Sequence, residues 1–177
     1  MDTEKKKEIM RENFAGIADR KFLKWLEQIG FYEAPASKGH HGAHPGGLFD
    51  HSLLVTRELI NLTDSLRLTW ERRESPLVVG MLHDICKVDD YVWEKDGEGE
   101  KPAYNRERSL PGHGDKSLEI LAGHIILTDE EKLCIRYHMG AFTDRSEWEF
   151  YTRAVQRCPN VLYTHMADMI ASQIGGV

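Results

Sequence analysis

The stretch from Ser75 to Lys87, SPLVVGMLHDICK, constrains the fold more than any other. Serine followed by proline is a helix start, with Ser75 at the N-cap and Pro76 at the first helical position. Leu77, Val78, Val79, Met81, Leu82 and Ile85 then make a helix that is apolar almost all round. Such a helix has no solvent face and must be buried, so the remaining elements have to wrap it. Its second half carries His83 and Asp84. Adjacent helical residues point about 100° apart, so one of the pair can face the core. The pair reads either as a solvated salt pair at a helix end or as part of a metal site completed from elsewhere in the chain.

A length of 177 residues, 41% hydrophobic and 29% charged, fits one soluble domain with a full core. The net charge of −6 argues against wrapping long nucleic acid, which needs a basic face. It leaves room for a small phosphorylated ligand in a local pocket. Cys86, Cys134 and Cys158 have no CxxC spacing, so reduced thiols in a cytoplasmic protein are expected. The charged opening MDTEKKKEIMREN lacks an apolar signal core, and no window approaches the ~20 apolar residues of a membrane span. No membrane partner is expected, and the oligomeric state is left open. Nine histidines are the compositional anomaly.

The periodicity predicts a mostly helical chain. Helices are expected from about Glu4 to Ala18, Arg20 to Ile29 and Leu48 to Leu62, with the irregular PASKGHHGAHPGG before the third. Tyr91-Val-Trp93 and Ala103-Tyr104 flank DGEGEK and predict one short β-hairpin. Asp115 is placed to cap a helix running to about Leu127. Thr128 with Glu131, and Ser146 with Glu149, are capping-box patterns. Asn160 is placed to cap a last helix from Val161 to Ile174.

If His83 and Asp84 bind a metal, the other ligands must be histidines or carboxylates on core-facing positions. His51 lies in FDHSLLVTREL. Asp168 lies in the apolar VLYTHMADMI, where a carboxylate is costly to bury without a cation. His138 ends EKLCIRYHMG, and His113 sits in the glycine-flanked PGHGD. The alternatives are ordinary: a loop histidine is usually solvated, and one at a helix end often answers the helix dipole. Imidazole and carboxylate without thiolate suit a divalent cation such as Fe, Mn, Ni, Co, Zn or Mg. Such an ion lowers the pKa of bound water, and one or two ions are expected.

The order His51, His83-Asp84, Asp168 resembles the H…HD…D signature of the HD-domain metal-dependent phosphohydrolases, from about His40 to Ser172. GGLFDHSLLVTREL is similar to a segment of HD domains related to bacterial 3′-to-5′ exoribonucleases. LHDICK resembles LHDIGK, and GHGDKS followed by RYHMG resembles the extra-histidine pattern of bimetallic members. The resemblance implies an all-α helical bundle: one domain over 1–177, with N-terminal helices over 4–30 and a metal-binding core over 40–172. It implies His51, His83, Asp84 and Asp168 as ligands of a first metal, with Asp84 able to bridge. His113 and His138 would hold a second metal or face the phosphate. Cys86 stands where glycine is common and is expected to change packing. The residues before His40 do not read as an RNA-binding domain, which points to a small phosphoester, a nucleotide in particular, and not to a polymer.

Around this set, Lys87 is either a surface lysine or a positive charge for the phosphate. His41 belongs to the pocket wall by the resemblance. Arg106 and Arg108 are either solvated or within reach of a phosphate. Tyr91, Trp93 and Tyr104 read as hairpin packing, with base stacking as the lesser alternative. The expected activity is hydrolysis of a small phosphoester by metal-activated water. Asp84 would hold developing charge, and Lys87 or His113 would assist the leaving oxygen. The alternatives are a di-iron oxygenase on the same scaffold and a non-catalytic ligand-binding domain.

Overall fold

Aspartates open the first two helices. Asp2 accepts the Lys5 amide at 2.8 Å to cap α1 (Thr3–Asn13), and Asp19 accepts that of Phe22 at 2.9 Å to cap α2 (Arg20–Gln28). α1 stops short of the expected Ala18 because residues 14–19 turn the chain to bring Asp19 into its cap. The computed structural model describes residues 1–40, 42–97, 99–108 and 110–176. His41, expected in the pocket wall, lies outside the described residues.

The long α3 (Gly47–Leu66) and α4 (Ser75–Leu82) form the central pair. Seven of the eight residues of α4 are buried, as its all-round apolar pattern requires. Ser75 is the first residue inside α4 and not its cap. Its hydroxyl donates to the buried Glu131 carboxylate at 2.9 Å. The helix does not run through HDICK as expected. It ends at Leu82, and tight turns closed by i→i+3 bonds such as Lys87 N to Asp84 O lead into α5 (Lys87–Asp90). In such turns residues three apart eclipse one another, which stacks Lys87 directly on Asp84.

A two-stranded antiparallel hairpin follows, β1 (Tyr91–Asp96) and β2 (Gly99–Tyr104), with Tyr91 paired to Tyr104. His113 occupies the N-cap position of α6 (Gly114–Leu121) without a side-chain capping bond, and Asp115, inside the helix, pairs with Arg136 instead. α6 ends before the expected Leu127, leaving residues 122–127 to lead Thr128 into its cap on α7 (Asp129–Tyr137). There the capping box of Thr128 and Glu131 forms as predicted. Asp144 takes the capping role expected of Ser146, in a turn before α8 (Trp148–Arg157). α9 (Asn160–Met169) begins at Asn160, whose amide donates to Thr69 O and Glu130. Its last part widens into a π-helical turn, Ile170–Gly175. The architecture is thus all-α with one short hairpin. No helix among the described residues is long and apolar enough to cross a membrane.

α3, α4, α7 and α9 surround the core, with α6 laid on α7. Two glycines set the spacing. A Cβ on Gly80 would lie 2.5 Å from Thr56 Oγ1 and 2.6 Å from Thr56 Cα, so only glycine lets α4 lie this close to α3. A Cβ on Gly114 would lie 2.0 Å from the Arg136 carbonyl oxygen. The first contact is three residues from His83, and the second joins the neighbours of His113 and His138. Gly80→Ala should therefore destabilise the fold by about 1–3 kcal/mol, the usual cost of overpacking, read as a lower urea midpoint. An unchanged midpoint would show that the two helices part without cost.

Candidate metal centre

His51 projects from the first turns of α3, and Asp168 from α9. His83 and Asp84 follow the last residue of α4, while His138 caps the end of α7 and His113 the start of α6. These residues, scattered from 51 to 168 in the chain, meet around one carboxylate. Asp84 Oδ2 lies 3.5 Å from His51 Nε2, 3.4 Å from His83 Nε2 and 2.5 Å from Lys87 Nζ. Asp84 Oδ1 lies 2.9 Å from His113 Nε2 and 3.2 Å from His138 Nε2. Asp168 Oδ1 is 3.2 Å from His51 Nε2. His51, His83 and His138 are fully buried and Asp84 is 2% exposed. The His113 side chain, 29% exposed, is the open edge of the cluster.

The tautomers can be read from the backbone. His83 Nδ1 is 2.9 Å from Gly80 O, and His138 Nδ1 is 2.7 Å from Ile135 O. A ring nitrogen facing a carbonyl must donate, so Nδ1 carries a proton in both rings, and in the neutral form of each Nε2 presents a lone pair. Those lone pairs face carboxylate oxygens, which also only accept. Accordingly His83 Nε2, His138 Nε2 and Asp84 Oδ1 are buried with no hydrogen-bond partner. Acceptors aimed at acceptors in a dry interior repel unless positive charge stands between them. A divalent cation satisfies this arrangement, and backbone-anchored Nδ1 protons are what metal-ligating histidines ordinarily have.

The electrostatics agree. Burial alone would raise Asp84, yet the Lys87 ammonium and the His83 and His113 rings hold its carboxyl well below the usual range. Burial opposes ionisation of Asp168 too, but its contact with His51 keeps it lowered. Burial pushes His83 down, keeping its ring neutral and free to ligate. Burial also works against charge on His138, but Asp84 raises it nonetheless, so the carboxylates draw positive charge into the site.

Among the described residues, ligand atoms gather within 4.8 Å of one another in His51–His83–Asp84, His83–His138–Asp168 and Asp84–His113–His138. Asp84 is thus shared between two neighbouring sets, one on each carboxylate oxygen. A further group, Cys86–Asp90–His113, has the same spacing. Burial pushes the Cys86 thiol well up, which keeps it protonated and a poor ligand. Cys86 was expected to matter for packing alone, but its sulfur lies 3.6 Å from His113 Nδ1. All three cysteines are free thiols.

Lys87 is 7% exposed and turned onto Asp84, not onto open solvent. Arg106 is exposed in the turn after the hairpin. Arg108 instead lines the ~450 Å³ cavity that opens on His113. Lys116 carried no signal in the sequence. It is buried, and its Nζ bridges Asp89 and Asp90 at 2.7 Å each, tying α6 to α5 and so His113 to Asp84. A lysine in the turn after a loop histidine looks like any surface lysine, and only the packing of α6 on α5 buries it.

A phosphodiesterase is among the known proteins this chain resembles. It is 35% identical over 72 residues to the dihydroneopterin 2′,3′-cyclic phosphate phosphodiesterase of Methanocaldococcus jannaschii. The match covers 39% of this chain and 29% of that relative's length. No protein-family model matches the sequence. No solved structure matches it either.

The facing acceptors predict a stability response to cations. A divalent transition ion at about a hundredfold its Kd should stabilise the fold by about 2.7 kcal/mol, seen as a raised melting temperature. Asp84→Ala should remove that shift. A wild-type melting temperature indifferent to Mn, Fe, Co, Ni, Zn and Mg would contradict the cation reading.

Proposed function

We propose that this chain is a metal-dependent phosphohydrolase of the HD type, acting on a small phosphoester. The observation that carries the reading is the convergence of the buried Nε2 atoms of His83 and His138, which lack hydrogen-bond partners, on the shared Asp84 carboxylate, with His113 at its open edge. The partial similarity to a phosphodiesterase supports the reaction class. His51, His83, Asp84 and Asp168 would hold a first ion, and Asp84, His113 and His138 a second. When bound, such ions polarise a phosphoryl oxygen and lower the pKa of water.

The chain's own residues do the rest. Asp84 presents one oxygen to each set and fixes the spacing between them. Gly80 O and Ile135 O hold His83 and His138 in the ligating tautomer. Lys87 keeps Asp84 ionised and adds positive charge beside the phosphate. His113 stands at the open edge, where its ring would hold the second ion or, with one ion bound, face the phosphate. Burial of the other ligands excludes bulk water and strengthens every charge interaction at the phosphate.

The second ligand set relies on two imidazoles, one of them part-exposed, and a single shared carboxylate, and is the weaker of the two. Asp84→Ala should abolish both metal content and phosphoester turnover. His138→Ala should keep one equivalent of metal by elemental analysis while turnover of bis(p-nitrophenyl) phosphate falls by roughly a hundredfold or more. Full activity in His138→Ala, or loss of all metal, would remove the two-ion reading. Mixed-valence iron spectra with oxygen consumption, and no phosphoester turnover, would replace hydrolysis by oxidation.

A further inference from the structure

The ~450 Å³ cavity beside the centre is lined by Asp90, Tyr91, Tyr104, Arg108, Pro111 and His113. Its wall is the base of the hairpin, the single sheet among the described residues. Tyr91 and Tyr104 are cross-strand partners, with ring centroids 5.5 Å apart and planes 27° apart. Asn105 locks this end of the hairpin: its amide N–H donates to Asp90 O at 2.9 Å and its side chain to Asp89 O at 2.9 Å. Asp90 is in turn held by Lys116 at 2.7 Å. Tyr104 is therefore fixed from behind, yet it remains 54% exposed.

Tyr91 supports the Tyr104 ring from the paired strand, and the rest of the ring is left half-exposed at the cavity. Two cations from separate loops lie over it. Lys38 Nζ is 5.4 Å from the ring centre and the Arg108 guanidinium 5.9 Å. Both side chains are exposed. They put positive charge next to an aromatic face at the mouth of a site whose exposed ligand, His113, shares the cavity. A phosphoester carrying a flat ring matches all three features: phosphate toward the centre, positive charge alongside, ring on the tyrosine.

We infer that the hairpin base is the specificity surface of the enzyme, with Tyr104 stacking the aromatic or heteroaromatic group of a nucleotide-like phosphoester and Arg108 and Lys38 flanking it. This rests on the phosphohydrolase reading for the reaction, but the platform is separable from it. A rigid ring loses little conformational freedom on binding and so serves as an anchor. Stacking of one base on an aromatic side chain corresponds to roughly five- to hundredfold in affinity.

The test is a ratio. Calorimetric affinities for adenosine 5′-monophosphate and for ribose 5-phosphate are compared in the purified protein. The wild type should prefer the nucleotide roughly five- to hundredfold. Tyr104→Leu, which keeps apolar bulk without a π face, should bring the ratio near one, and Tyr104→Phe should preserve it. A wild-type ratio near one, or a preference surviving in Tyr104→Leu, overturns the platform. If metal-dependent phosphoester turnover persists alongside a wild-type ratio near one, the platform is lost and the hydrolase stands. If the Tyr104-dependent preference is found with no phosphoester turnover in the metal-loaded protein, the hydrolase is lost and the platform stands.

Discussion

The rest of this protein depends on one buried charge. Asp84 sits 2% exposed where α4 ends, and a carboxylate in that position costs several kcal/mol of lost solvation unless cationic or donor groups surround it. Its surroundings are contributions from distant parts of the chain: His51 from α3, His113 from α6, His138 from α7, and Lys87 one tight turn away. Each helix that reaches Asp84 also buries an apolar face against its neighbours. The core and the polar cluster therefore impose the same geometry. Any shift of α3 against α4 moves His51 away from Asp84 as it opens the contact at Gly80.

One local device is used twice. The last turn of a helix leaves carbonyls without amide partners. In both α4 and α7 the residue just past the end is a histidine whose Nδ1 reaches the carbonyl three residues back. That contact satisfies an otherwise orphaned acceptor, sets the ring orientation and chooses the tautomer. The helix end thus orients the ring without any partner from another element. His113 is held differently, at a helix start, with Cys86 and Asp90 beside its Nδ1 and Lys116 anchoring the helix behind it. The difference fits its exposed position at the mouth of the cavity.

The periphery reads as adjustable where the centre is not. The base of the hairpin is tied to the centre through Asn105, which donates to the backbone carbonyls of Asp89 and Asp90 and to the Asp89 carboxylate. Such a module can present different side chains to a substrate without disturbing the residues around Asp84.

Several features were legible in the chain alone. The all-round apolar run from Leu77 to Ile85 required a buried helix, because no solvent face existed for it. The turn residues between two aromatic stretches required a hairpin at Tyr91–Tyr104, and the candidate ligands His51, His83, Asp84, His113, His138 and Asp168 stood out as polar groups in apolar or glycine-flanked settings. The structure brings all six together. Capping residues were read less well: Asp144 caps the turn where Ser146 was expected to, since several short polar residues in one turn can serve, and α6 begins at His113 with no side-chain cap. Only the tertiary structure decided the break in the helix at His83, the inward turn of Lys87, the burial of Lys116 and the choice of Arg108 over Arg106 at the cavity. Periodicity reports which face of an element is apolar. It cannot report which charge will stand opposite a side chain: Asp89 and Asp90 buried Lys116, the cavity took Arg108, and the tight turn after Leu82 laid Lys87 on Asp84.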